Sequence, residues 1–409
     1  MFKQYEFKLL WPFYLQNFLL SLSKVIMPFY VLYFLGIGLS FFQIAMIGSI
    51  RSIITIVFEI PTGTIADLFG RKASVVLGYL FSSLTLFLMF FAHSFYVIMI
   101  ILALDAVFET LVSGADRAWA VDLLEEQDKE LLDRYFIRMR LFRNLGLVIS
   151  PILASLIVAK ANMSYLWLVF ALGTFTSTVF LFFGREAKRD TNTIETEKEE
   201  KSKYFLGHLK ESVLALIRNK ILIVLFAVIF IFYFVDEITG LAWTPHLENV
   251  GVKLPTIGYL FSIIAAIGVF LPFLTEWLLK YKSKLYILFF TTLVYALLLI
   301  SVGFISTTLL VMLVFVIFSS AEKIFLPLED ALTNFFIESK NRATILSIKS
   351  VVESFASIIG GPIAGYILGI LSLRQAFTFS GILLLIIPCL YLLIKEQGRA
   401  KARPWVGAQ

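Results

Sequence analysis

The chain has 409 residues, of which 59% are hydrophobic, 42 are Phe and only 16% are charged. No soluble domain hides that much apolar surface, so the excess must face lipid and the chain reads as an integral membrane protein. Its net charge of +6 does not imply a nucleic-acid partner, because the cations are sorted by loop and so report topology. The single cysteine, Cys389, excludes an internal disulfide.

Twelve apolar segments follow in order, at roughly 9–35, 41–66, 73–93, 96–123, 135–159, 163–184, 221–243, 255–279, 285–304, 308–336, 343–370 and 375–394. A helix of about 20 such residues crosses a hydrocarbon core of ~30 Å. The N-terminus leads into the first span with no small-residue cleavage site, so no signal peptide is expected. Lys24, Arg51, Arg117, Arg138, Arg140, Arg143, Lys323 and Lys349 fall inside spans, and Lys160, Lys253 and Arg374 lie in loops on one side. The remaining Lys and Arg occupy loops and tails on the other side, which places both termini in the cytoplasm of a multi-pass protein of the cell membrane. Between spans six and seven, Arg185 to Lys210 is a polar run rich in Lys, Glu and Thr, read as a cytoplasmic linker.

The expected fold is all-α, with twelve transmembrane helices in two pseudo-symmetric six-helix bundles. The bundles occupy 1–184 and 216–396, with a central cytoplasmic loop at 185–215 and a tail at 397–409. The halves echo each other: Ser150-Pro151-Ile152-Leu153-Ala154 in span five matches Gly361-Pro362-Ile363-Ala364-Gly365 in span eleven. Two such bundles around a central hollow form a transporter architecture, with substrate held near mid-membrane.

Between spans two and three the run GTIADLFGRK, Gly63 to Lys72, reads as a tight cytoplasmic hairpin whose ions must pair with each other or with a helix end. It resembles the signature loop of the major facilitator superfamily: Gly63, Asp67, Gly70, Arg71 and Lys72 match, and Leu68 stands where a cation is usual. With the twelve spans and central loop, the resemblance covers nearly the whole chain, and the bacterial drug/proton antiporters are the branch it suggests. The resemblance implies that Asp67 and Arg71 form a charge cluster with Asp122 at the inner end of span four. It also implies that Asp67 faces the N-terminus of span eleven near Asn341-Arg342, where a helix end attracts a carboxylate, and so holds the cytoplasmic side shut. The alternative is a topological anchor with no gating role. The antiporters' span-five pattern, Gly-x-x-x-Gly-Pro-x-x-Gly-Gly, is only partly kept: Gly146 and Pro151 remain, while Ser150, Ala154 and Ser155 replace glycines. Small side chains there still permit close packing.

A charge at the bilayer centre costs about 2.5–3.5 kcal/mol on insertion scales, so those retained need a partner or water. Span four carries Asp105, Glu109 and Asp116 at i, i+4 and i+11, which falls within about 40° of one helical face. Three carboxylates there cannot all ionise cheaply, so at least one is expected to bind a proton reversibly. The alternative is structural pairing with Arg138, Arg140 and Arg143 of span five. In span seven, Asp236 and Glu237 are read as near the outer end, at an external gate or solvated rim, with His246 in a loop. In span ten, Lys323 either neutralises an acid of the bundle or makes a local pair, and Glu322, Glu329 and Asp330 share its two stripes. Lys349 and Glu353 of span eleven read as a local i, i+4 pair worth tenths of a kcal/mol. Glu59 and Arg51 sit in span two. Lys24 lies in mid-span and either pairs with an acid or offers positive charge to an anionic substrate.

Lys24, Glu59, Arg138, Asp236, Glu237, Glu322 and Lys323 are the candidate substrate-binding residues. An aromatic content of 16% suits a bulky, partly apolar substrate. No Walker loop, metal-ligand spacing or nucleophile with a base is present, so neither an enzyme nor a cofactor is expected. The expected partners are a small-molecule substrate, protons and the lipid bilayer, with the chain acting as a monomer. The leading expectation is a secondary carrier working by alternating access that exports lipophilic compounds in a proton-coupled cycle. The alternatives are a proton symporter or uniporter for a small polar or anionic solute, and a lipid flippase or non-transporting sensor.

Overall fold

In hydrocarbon every backbone N–H and C=O must be satisfied within the segment, so an apolar chain of this kind has little choice but helix. The computed structural model describes residues 4–125, 130–186, 216 and 219–398, and among them there is helix and no strand. Eleven helical stretches are long and apolar enough to cross a membrane, and Tyr165–Leu181 is apolar but shorter. Most of the expected linker and tail lie outside the described residues.

In chain order, span one consists of α1 (Gln4–Ser23), a 3-10 turn (Met27–Phe29) and α2 (Tyr30–Gly36). Then come α3 (Phe41–Phe69), α4 (Arg71–Leu88), α5 (Phe95–Val112), α6 (Ala115–Glu125), α7 (Glu130–Val158) and α8 (Tyr165–Leu181). The later helices are α9 (Lys220–Asn249), α10 (Leu254–Tyr281), α11 (Lys284–Val302), α12 (Thr308–Phe336), α13 (Arg342–Ile370), α14 (Leu373–Leu384) and α15 (Ile386–Gly398).

The chain divides into two compact units: Met1–Arg189 with Leu247–Ala266, and Asp190–His246 with Ile267–Gln409. In the first, α1 packs on α7 and α8, α4 on α5 and α8, and α3 on α5. Its core gathers Phe13, Tyr14, Trp119 and Tyr135, with the Phe13 and Trp119 rings 4.7 Å apart. Ser262 donates a 2.8 Å hydrogen bond to the Val148 carbonyl of α7, which joins the start of α10 to this unit. In the second unit α11 packs on α12, α14 and α15. Stacked rings fill the centre: Phe232 on Phe325 at 4.2 Å and Tyr295 on Phe318 at 3.9 Å.

Four local findings depart from the expected pattern. The run Gly63 to Phe69 is not a loop but the end of α3, and Gly70 alone turns the chain into α4. At φ 98° and ψ 137° Gly70 occupies a conformation that a Cβ would strain, which is why a glycine ends this helix. Span one breaks at Lys24, ahead of Pro28, so this lysine marks a gap between helices instead of the middle of one. Span four breaks at Ser113-Gly114, with Gly114 at φ 75°, so Asp116 starts a new helix. Finally, α9 continues to Asn249, so Asp236 and Glu237 are well inside the helix and His246 is helical and buried.

Candidate ion-coupling sites

Arg51 of α3 is the centre of the first unit's internal charges. Its Nη1 donates to Asp105 Oδ2 at 2.8 Å and to the Leu102 carbonyl at 3.1 Å, while Nη2 donates to Glu109 Oε2 at 2.6 Å. The i, i+4 spacing on α5 puts both carboxylates before one planar fork, a geometry that lysine cannot match. Asp105 is buried, and its other oxygen accepts from Ser82 Oγ at 2.6 Å and Thr85 Oγ1 at 3.0 Å, both on α4. It is therefore satisfied as an anion. Glu109 differs, with a side chain 57% exposed. Lys24, at the break in span one, lies close enough to Glu109, Asp105, Arg51 and Arg143 to interact with all four electrostatically.

The expected stripe of three acids is thus a pair, and the break at Gly114 accounts for the difference. Asp116 instead lines a cavity of about 10 Å³ with Gln16, Tyr79, Arg117 and Tyr135, room for about one water. The cation that serves the pair comes from α3, not from the arginines of α7 as one alternative had it. Arg138 is half-buried on α7, and Glu59 is exposed on α3 with its Oε1 3.5 Å from Ser113 Oγ.

At the Gly70 end, Arg71 Nη1 meets Asp122 Oδ1 of α6 at 2.6 Å, and its Nη2 lies 4.0 Å from Asp67 Oδ1 across the Gly70 turn. Lys72 Nζ donates to the carbonyls of Phe182 and Gly184 at 3.0 and 2.8 Å. That places a cation at the negative end of α8. Trp119 Nε1 donates to the Arg185 carbonyl at 2.8 Å, so the chain leaving α8 is fixed twice. Gly70 also faces this segment, since a Cβ there would sit 2.7 Å from Glu186 Oε1. Gly63 has open space around it and no close approach that requires glycine.

The second unit holds an ion group that sequence reasoning took for a local pair. Lys349 of α13 donates to Glu329 Oε2 of α12 at 2.5 Å and to Asp330 Oδ1, and lies 3.9 Å from Glu353. Glu329 has 0% of its side chain exposed, and Thr333 Oγ1 donates to its other oxygen at 2.5 Å. The spacing of Lys349 and Glu353 suggested a wet pair; the structure shows Lys349 buried, with its shortest bonds reaching another helix. A lysine inside a span was the available signal, and the nearby Glu353 masked it. Of the other candidates, Lys323 lies 3.8 Å from Glu322, and Asp236 feels the charges of both. Glu237 packs towards α13, with its Cγ 3.7 Å from where a Gly360 Cβ would be. Arg342 is exposed as the first residue of α13. The His246 ring meets Phe377 edge-to-face at 5.2 Å. Among the described residues no group of three or more His, Cys, Asp or Glu is arranged to hold a metal ion.

Residues 13–327 and 287–408 match the family model described as Major Facilitator Superfamily. A protein of Bacillus subtilis (strain 168), described as the uncharacterized MFS-type transporter YxaM, is 25% identical over 381 residues, spanning 90% of this chain and 91% of that one. Among solved structures, a mutant of the nucleoside transporter NupG superposes with a TM-score of 0.79 at 14% identity, over 94% of this chain and 99% of that one. A POT family transporter in complex with a thioalcohol conjugated peptide gives 0.71 at 18% identity, over 95% and 96%. A D-xylose-proton symporter gives 0.70 at 11% identity, over 99% and 100%. At such identities these structures speak for the fold alone.

Proposed function

The chain belongs to the major facilitator superfamily, and from that premise we propose that it is a proton-coupled carrier, working by alternating access, that exports lipophilic small molecules. It is a multi-pass membrane protein and a secondary transporter, not an enzyme. The coupling, the direction and the placing of both termini in the cytoplasm are our reading.

The observation that carries the coupling is that one guanidinium is shared between a buried Asp105 and an exposed Glu109. A proton arriving at Glu109 Oε2 cancels the charge that holds Nη2, and Arg51 is left to Asp105 and the Leu102 carbonyl. Since α3 and α5 meet through this arginine, loading and unloading Glu109 changes how firmly the two helices are joined. The Arg71 bridge to Asp122, with Asp67 across the Gly70 turn, is the proposed latch at the other end of α3. Aromatic residues at 16% of the chain favour a bulky, partly apolar cargo.

A second reading, proton symport of a polar or anionic solute, is favoured by Lys24, which brings positive charge beside the same pair. Proteoliposomes under an imposed pH gradient separate the two, with a panel of lipophilic dyes and a panel of nucleosides, dipeptides and sugars as probes. Dye expelled against inward-moving protons supports export, and gradient-driven accumulation of a polar probe supports symport. Transport of a probe with no accompanying proton movement removes the coupling.

A further inference from the structure

Three carboxylates surround one ammonium at Lys349, so with all of them ionised the group carries a surplus of negative charge inside a span. One of the three is not held as an anion. Glu329 accepts from both Lys349 and Thr333, and Asp330 accepts from Lys349 while being largely exposed. Glu353 stands 3.9 Å from Lys349 Nζ, partly buried, beyond hydrogen-bond length. A carboxylate so placed pays for desolvation without the bonds that offset it.

A second feature lies on the Glu329 side of the same ion group. The Tyr391 hydroxyl of α15 is buried, with the residue 1% exposed, has no hydrogen-bond partner among the described residues, and lies within reach of the Glu329 charge. An orphan buried hydroxyl beside Glu329 is where a water serving this ion group would be held. From α9, Tyr233 feels Glu353 and Asp330. The groups facing Glu353 are therefore Lys349 on its own helix, Glu329 and Asp330 on α12, and Tyr233 on α9.

We infer that Glu353 is a proton-binding site of the second unit, one that loads independently of Glu109. A proton taken from water onto its carboxylate gives a neutral acid, and Lys349 then belongs wholly to Glu329 and Asp330. Losing that proton draws the ammonium back towards α13 and loosens the joint between α12 and α13. The inference rests on the proposed proton coupling and extends it to two loading groups, one in each unit.

The test needs no substrate. Infrared difference spectra of the purified, reconstituted protein, recorded while pH is stepped, report protonated carboxyl groups by their C=O stretch. Two titrating carboxyl contributions from within the spans are expected in the unaltered chain, one lost in E353Q and kept in E109Q, the other lost in E109Q and kept in E353Q. E353D, which retains the acid, should keep the first of these at a shifted midpoint and so shows that a loss in E353Q is not misfolding. An E353Q spectrum identical to that of the unaltered chain overturns the assignment. If only E109Q changes the spectrum, proton binding lies in the first unit and the coupled-carrier reading stands without this site. Spectra unaltered by either substitution overturn both.

Discussion

Arg51 and Lys349 each hold more than one carboxylate inside a span, and their surroundings treat those acids differently. Arg51 splits a planar fork between two acids of α5, with Asp105 buried and Glu109 exposed, and α4 supplies two hydroxyls to the buried acid. Lys349 is a point charge with 5% of its side chain exposed, bonded to a Glu329 with none exposed, and the supporting hydroxyl comes from Glu329's own helix. The first group joins three helices and keeps one arm accessible. The second joins two and is dry where its main bond lies. A dry pair is costly to break singly, because the remaining charge has nowhere to go.

The largest expected effect follows from that. Lys349→Met should destabilise the protein by about 3–5 kcal/mol, the cost of stranding a buried carboxylate. Thermal unfolding of the purified protein in detergent is the measurement. Lys349→Met combined with Glu329→Leu should recover much of the loss, since both charges then leave together. A double variant as unstable as the single would show that the pair is not the dry one. Arg51→Met should cost less, about 1–3 kcal/mol, because Asp105 keeps its two hydroxyl donors. Equal losses for the two single variants would erase the contrast between the groups.

Smaller changes sharpen it. Ser82→Ala and Thr333→Val each remove one donor to a charged acceptor and should each cost about 1.5–3 kcal/mol by the usual range for such bonds. Thr333→Val should lie at the upper end, as Glu329 has no water to replace the donor, while Asp105 retains Thr85. Reversal of that order would make the second unit's group the less enclosed of the two.

How far these groups were legible in the sequence depends on what sets them. Span number and order come from apolar length, which is local, and twelve apolar stretches were readable without the structure. The Asp67, Arg71 and Asp122 group was legible only through resemblance, since no spacing links Arg71 to a residue 51 positions on. Helix breaks were not legible: Ser113-Gly114 has no proline, yet it separates Asp116 from Glu109 and dissolves the three-acid stripe. Proximity along a helix misled at Lys349, where i+4 offered Glu353 and tertiary packing chose Glu329, 20 residues away. Arg51 was visible as a cation in a span, but its partners lie 54 and 58 residues on, a distance no periodicity bridges.

The least change in stability should come from Glu109→Gln, and it bears most on function. The amide keeps an oxygen within reach of Arg51 Nη2, and the side chain is exposed, so unfolding should shift by no more than about 0.5 kcal/mol. Yet the amide cannot take up a proton, so the guanidinium would stay shared in one fixed way. Probe movement down its own gradient should persist while gradient-driven movement is lost. Asp105→Asn makes the opposite test, because it removes the buried anion that Arg51, Ser82 and Thr85 all serve. It should lower stability more than Glu109→Gln does, and the two variants together separate holding the helices from loading the proton. Should Glu109→Gln keep full proton-driven transport, the exposed arm of Arg51 would be a structural contact and the coupling would have to be sought elsewhere, first at Glu353.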